Sequence, residues 1–248
     1  MAALLSVDLL SKRFGGLTVV DRLSFEVAEG DAVGIVGPNG AGKTTLLNLI
    51  AGDLRADSGT VMLDGVDVTR RPAHVRCHMG IGRTAQIPRP FEGLTVFENA
   101  LVGSTFGSGR ARRASTASSV EATAVGALER VGMLGRADTP AGALTLLERK
   151  RLELARALAT EPRLLLLDEI AGGLTEAEVL QLVATIGDIR AAGVAVVWIE
   201  HIVHALLRVV DRMIAMDFGR KLIEGPPATV MASDEVRSVY LGEDIEVA

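Results

Sequence analysis

The sequence predicts an α/β fold: a mostly parallel sheet with helices on both faces, and a mainly helical lobe inserted into it. Three observations carry this. Short apolar runs alternate with helical patterns along most of the 248 residues, the order expected of a sheet built through helical crossovers. One junction, "DAVGIVGPNGAGKTTLLNLIAG", is an apolar strand, a glycine-rich turn and a helix ending at Gly52. A later run, "RLLLLDE", is a fully apolar strand that ends in two acids.

The elements follow in order. "LLSVDLLSKRF", "VVDRLSFEVAEG" and "GTVMLDGVDV" are short alternating strands ended by Gly or Asp. "HMGIGRTAQ" reads as a further strand. "TVFENALVGST" starts a helix, with Thr95 as its cap and Glu98 three residues on. "GSTFGSGRARRASTASS", within 103–119, is small, polar and basic and reads as a flexible insert. "VEATAVGALERVGMLGRAD" resumes as helix. "RKRLELARALAT" is an amphipathic helix stopped at Glu161-Pro162. After "RLLLLDE" come the helix "TEAEVLQLVATIGDIRAAG", with a Thr175–Glu178 capping box, and the strand "VAVVWIEH". The helix "IVHALLRVV", the hairpin-like "RMIAMDFGRKLIEG" and a helical tail close the chain. Residues 88–158 are expected to form the inserted helical subdomain, and 1–87 with 159–248 the core lobe.

Composition narrows the function. The net charge of -5 and an aromatic content of 3% argue against a nucleic-acid partner, which selects a basic field and stacking rings. The single cysteine, Cys77, excludes an internal disulfide. "MAALLSVDLL" lacks the basic start of a secretory signal, and no run of about 18 apolar residues offers a membrane span. A cytoplasmic chain that can dock on a membrane protein is expected.

The chemistry lies in the junctions. Gly37-Pro38-Asn39-Gly40-Ala41-Gly42-Lys43-Thr44 fits G-x-x-x-x-G-K-[ST] between a strand and a helix. Its glycines let backbone N–H groups curl round a phosphate, and the helix N-terminus adds partial positive charge. Lys43 reaches the β- and γ-phosphates, and Thr44 offers its hydroxyl to Mg²⁺. Asp168 and Glu169 end a strand at the edge where open α/β sheets bind ligands. Asp168 is the candidate Mg²⁺ ligand and Glu169 the candidate general base. His201 ends the next apolar strand, where it can contact a γ-phosphate and steady the water. Gln86, after "MGIGRTA", can contact Mg²⁺ or water. His74, Cys77 and His78 cluster without a second group to complete a tetrahedral metal site.

Taken together, Gly37–Thr45, Gln86, Asp168–Glu169 and His201 resemble the ATP-binding subunit of an ABC transporter, over nearly the whole chain. "GIGRTAQIPRPFEGLTVFENALVG", "ARALATEPRLLLLDE", "IEHIVHAL" and "YLGE" are most similar to the branched-chain amino acid (and urea or amide) importer ATPases. The resemblance implies a P-loop NTPase core with an N-terminal antiparallel β portion. Phe14 matches the aromatic that stacks on adenine, and Asn39, Gly40, Ala41, Gly42, Lys43, Thr44 and Thr45 hold the nucleotide. Gln86 becomes the glutamine facing the membrane subunit, Glu169 the base and His201 the switch histidine. ATP and Mg²⁺ are the implied cofactors. The implied partners are a second ABC ATPase subunit, integral membrane permeases and, indirectly, an extracytoplasmic solute-binding protein. The chain would sit peripherally on the cytoplasmic face of the membrane.

One segment departs from the family. Where the subfamily has Leu-Ser-Tyr-Gly-Gln, this chain has Leu144-Thr145-Leu146-Leu147-Glu148. In the resembled family this signature turn meets the ATP held by the other subunit. Thr145 keeps a hydroxyl for that trans contact. Leu147 replaces a glycine, and its side chain is expected to hinder the approach to phosphate. Glu148 brings a negative charge. Ile170, Thr175-Glu176 and Ile202 also depart, without removing a proton-transfer or metal-binding group. An intact set of the chain's own catalytic groups beside an altered donated turn favours an asymmetric heterodimer over a homodimer. A regulatory ATP-binding subunit with little turnover and a non-transport ABC ATPase are the other readings. The latter usually carries a long coiled-coil insert or a tandem second ATPase, and neither is present.

Overall fold

A computed structural model describes residues 3–107 and 117–240. Two sheets organise it. The first is a four-stranded antiparallel sheet in the order β2-β1-β4-β5, made by β1 (Ala3–Phe14), β2 (Leu17–Ala28), β4 (Ser58–Leu63) and β5 (Val66–Asp67). The second has six strands in the order β10-β9-β3-β8-β7-β6. Its strands β3 (Ala32–Val36), β6 (Ile81–Arg83), β7 (Leu164–Asp168), β8 (Ala195–Ile199) and β9 (Arg212–Asp217) run parallel. Only β10 (Arg220–Gly225) is antiparallel, because the tight turn at Phe218-Gly219 joins it directly to β9.

The two faces of the six-stranded sheet feed two cores, divided by the two-residue alternation of strand side chains. On β7, Leu164 and Leu166 join α1 (Lys43–Ala51) and the antiparallel sheet, whereas Leu165 and Leu167 face the other helices. β8 divides the same way, with Val197 and Ile199 on the first side and Val196 and Trp198 on the second. A strand buried on both faces reads as a continuous apolar run, which is why "LLLL" and "AVVWI" are unbroken.

α2 (Ala73–His78) precedes β6. The helices α3 (Val96–Phe106), α4 (Ala117–Arg130) and α5 (Leu146–Ala159) pack on one another, and Ala100, Leu128, Leu152 and Ala155 lie in their shared core. Thr95 caps α3 through a complete capping box with Glu98, and Thr175 does the same with Glu178 for α6 (Glu176–Ala191). The remaining helices are α7 (Val203–Leu206), α8 (Pro227–Ala232) and α9 (Asp234–Tyr240). Of the insert expected to be flexible over 103–119, Gly103–Phe106 form the last turn of α3 and Ala117–Ser119 the start of α4. The basic stretch 108–116 lies outside the described residues.

Candidate functional site

The parallel strands β3, β6, β7 and β8 end at one edge, and each delivers a group there. Asp168 of β7 pairs with Ile199 of β8, and Ile35 of β3 pairs with the same Ile199. Parallel direction and register thus bring the cradle, the two acids and His201 together from distant parts of the chain. Arg83 ends β6 beside Leu166, and the chain then runs on to Gln86.

The cradle depends on two glycines for steric reasons. Gly37 has φ +154°, and a Cβ there would meet the Met216 carbonyl oxygen at 2.2 Å. Gly42 has φ +95°, and a Cβ would meet the Val19 carbonyl oxygen at 2.2 Å. α1 starts directly after Gly42 with no side-chain cap, so its first-turn N–H groups point at the ligand position without a capping side chain in between. A cleft of about 180 Å³ is lined by Val19, Asn39, Gly40, Ala41, Gly42, Lys43, Thr44, Thr45 and Glu169. The Lys43 ammonium is buried and donates to the carbonyls of Gly37 at 2.6 Å and Pro38 at 2.9 Å.

The Thr44 hydroxyl donates to Asp168 Oδ1 at 3.3 Å, so two of the three expected Mg²⁺ ligands lie side by side; the third, Gln86, bonds the Glu169 carboxylate. Asp168 is only 1% exposed. Burial pushes its carboxyl above the ordinary carboxylate range; the Arg83 guanidinium opposes this shift, and the Glu169 charge adds to it. Arg83 sits 3.4 Å from Asp168 Oδ2 and also pairs with Asp53. No group of three or more His, Cys, Asp or Glu able to hold a metal occurs among the described residues. A hydroxyl, one carboxylate and the phosphates of a nucleotide are a donor set that suits Mg²⁺, which keeps much of its water and takes few protein ligands. His74, Cys77 and His78 lie on α2 and form no such group.

Glu169 is the centre of the arrangement. Its backbone has φ +49°, a left-handed conformation that costs a bulky residue on the order of 1–3 kcal/mol. Its N–H is held by the Ile199 carbonyl at 2.8 Å. Its carboxylate receives the Gln86 amide on Oε2 and meets His201 Nε2 on Oε1 at 2.9 Å. The structure therefore gathers Gln86, Glu169 and His201, which lie far apart in sequence. Phe14 is exposed at the end of the β1–β2 hairpin, on the same hairpin as Val19 of the cleft, and Lys12 stands 5.4 Å from its ring.

Thr145, the residue expected to act in trans, makes no hydrogen bond to Gln86, Glu169 or His201; it bonds Glu148. It is the N-cap of α5 in a third capping box. Its N–H donates to Glu148 Oε2 at 2.9 Å, and its hydroxyl accepts from the Glu148 N–H at a long 3.4 Å. Glu148 Oε1 also meets Arg136 at 3.1 Å. The Thr145 N–H, then the Thr145 side chain and Arg136, hold the Glu148 carboxyl below the ordinary range against the opposing effect of burial. Leu147 is turned inward and 9% exposed, whereas Leu146 is 43% exposed, because helical geometry swings successive side chains by about 100°.

Three charged residues near the site were not singled out from the sequence: Arg83, Lys150 and Glu200. Glu200 is 2% exposed and Lys150 5%. The one available signal was an acid closing the apolar run "VVWIE".

Comparison with known proteins decides the family. A family model described as "ABC transporter" matches residues 20–172. The chain belongs to the ABC transporter family. It is 37% identical over 238 residues to a probable ABC transporter ATP-binding protein of Azorhizobium caulinodans, covering 96% of this chain and 83% of that one. It is 36% identical to the high-affinity branched-chain amino acid transport ATP-binding protein BraF of Pseudomonas aeruginosa, over 97% and 98% of the two chains. It is also 34% identical to the lipopolysaccharide export system ATP-binding protein LptB of Acidithiobacillus ferridurans, over 100% of both. Among solved structures, the ADP conformation of an ATP-binding cassette of an ABC transporter superposes with a TM-score of 0.87 at 30% identity, covering 98% of this chain and 100% of that one. The ABC fold, with an antiparallel sheet beside a mostly parallel one and helical insertions, is the one described above. This ABC ATPase is an ATP-binding and ATP-hydrolysing enzyme. No helix among its described residues is long and apolar enough to cross a membrane.

Proposed function

We propose that the chain is an ATP-hydrolysing subunit that energises import of branched-chain amino acids, or related small amide or amino acid solutes, from the cytoplasmic face of a membrane. The observation that carries the catalytic part is the gathering of Glu169, Gln86 and His201 beside the cradle. Lys43 and the first-turn N–H groups of α1 hold the phosphates. Thr44 and Asp168, with Gln86, would hold Mg²⁺, which when bound screens the charge of the transferring phosphoryl group. Glu169 takes the proton of the attacking water, and Gln86 and His201 orient that water. Phe14 supplies the face on which adenine stacks.

The partners in this reading are a second ABC ATPase, integral membrane permeases and an extracytoplasmic solute-binding protein. The donated turn supports an asymmetric pair. Glu148 already places a carboxylate on the N-terminus of α5, where the γ-phosphate of the partner's ATP would arrive. Like charges sharing such a site repel. The partner's nucleotide then turns over slowly, and this chain's own nucleotide turns over normally. The relative BraF favours the import reading; LptB, matched end to end, makes lipopolysaccharide export the second one.

The Glu169→Gln variant tests the catalytic reading. It should bind ATP normally and hydrolyse it on the order of 10²-fold more slowly or worse. Turnover within a few-fold of the parent would remove Glu169 as the base. Uptake of labelled leucine into vesicles carrying the assembled complex separates import from export.

A further inference from the structure

Glu200 is a costly residue to place where it is. It directly follows β8, whose residues Ala195–Ile199 are fully buried, and is itself 2% exposed. A lone buried carboxylate is disfavoured unless its oxygens are satisfied. Here both are, by backbone N–H groups of two different loops. Oε1 accepts from Ala171 at 2.7 Å, and Oε2 accepts from His201 at 3.0 Å. Ala171 lies two residues past Glu169 and His201 bonds the Glu169 carboxylate, so one side chain spans the two loops that frame the base. A neutral cap needs one acceptor only; bridging two donors uses both oxygens of a carboxylate.

The Ala171 loop also meets α5, the helix whose N-terminus is the donated turn: Leu146 Cδ2 lies 3.2 Å from where a Cβ on Gly173 would stand.

We propose that Glu200 is a positioning residue for ATP hydrolysis, clamping the Ala171 loop to the His201 loop. Glu169 is thereby held against His201 in its left-handed backbone. The inference rests on the reading of Glu169 as base and His201 as its companion.

The test uses the full chain carrying Glu200→Gln or Glu200→Ala, with Glu169→Gln as reference. Glu200→Gln keeps the shape but offers one acceptor, so one of the two N–H groups loses its partner. The expected result is a kcat at least tenfold lower, with KM for ATP and affinity for a non-hydrolysable ATP analogue within about twofold of the parent. Glu200→Ala, which offers no acceptor, should lower kcat at least as far. A kcat within twofold of the parent in both Glu200 variants overturns the proposal. So does a parallel fall of kcat, affinity and thermal midpoint, which marks a purely structural role. If Glu169→Gln itself retains turnover, the underlying reading of the base fails; if only the Glu200 variants retain it, the clamp alone fails.

Discussion

Lys43 and Glu169 do different things with the same nucleotide, and substitution separates them. The Lys43 ammonium is buried and folded on the Gly37 and Pro38 carbonyls, ready to turn to the phosphates. Lys43→Ala should weaken ATP affinity itself by tenfold or more, since charge-assisted hydrogen bonds of this kind are worth about 1.5–3 kcal/mol. Isothermal titration with MgATP measures it, and unchanged affinity would contradict the cradle assignment. The residues of the phosphate cradle, the Asp168–Glu169 pair and His201 were legible in the sequence because each is a polar group placed where an apolar strand stops. Arg83, Lys150 and Glu200 were not. A charge drawn out of solvent is intelligible only through its partners, and these stand far off in the chain: Asp168 for the half-buried Arg83 and Ala171 for the buried Glu200.

The start of α5 is the element on which the account turns. The spacing from Thr145 to Glu148 carries the same capping signal as Thr95–Glu98 and Thr175–Glu178, and the structure closes all three boxes. Comparison with a glycine-bearing turn draws attention to Leu147, yet it is Leu146 that faces outward. Side-chain direction depends on where the first helical turn begins, and that start is set by the cap. Glu148→Gln weakens the box and the Arg136 pair, and should cost about 1 kcal/mol at neutral pH. The sign with pH follows from the lowered carboxyl. Its stabilisation is present above the ordinary value of 4.5 and is lost as pH falls through the depressed folded value. The difference in unfolding free energy between parent and variant should therefore shrink below about pH 4.5. A difference that stays constant into acid would mean that Glu148 acts by packing rather than by charge.

For the molecule as a whole, the alternation of strands and helices was enough to predict a parallel sheet with helices on both faces, because βαβ connection leaves few other arrangements. The sequence could not show that β6 is only three residues long, since pairing with β7 rather than local propensity decides its extent. The structure gathers Lys43, Thr44, Asp168, Glu169, Gln86 and His201 at one sheet edge, while the turn proposed to face the partner's nucleotide carries Glu148. The most direct measurement compares ATP turnover of the assembled transporter in two forms, one with Glu169→Gln in this chain and one with the equivalent glutamate of the partner ATPase replaced. The account predicts that the first change removes nearly all turnover and the second leaves most of it. Equal losses would contradict it.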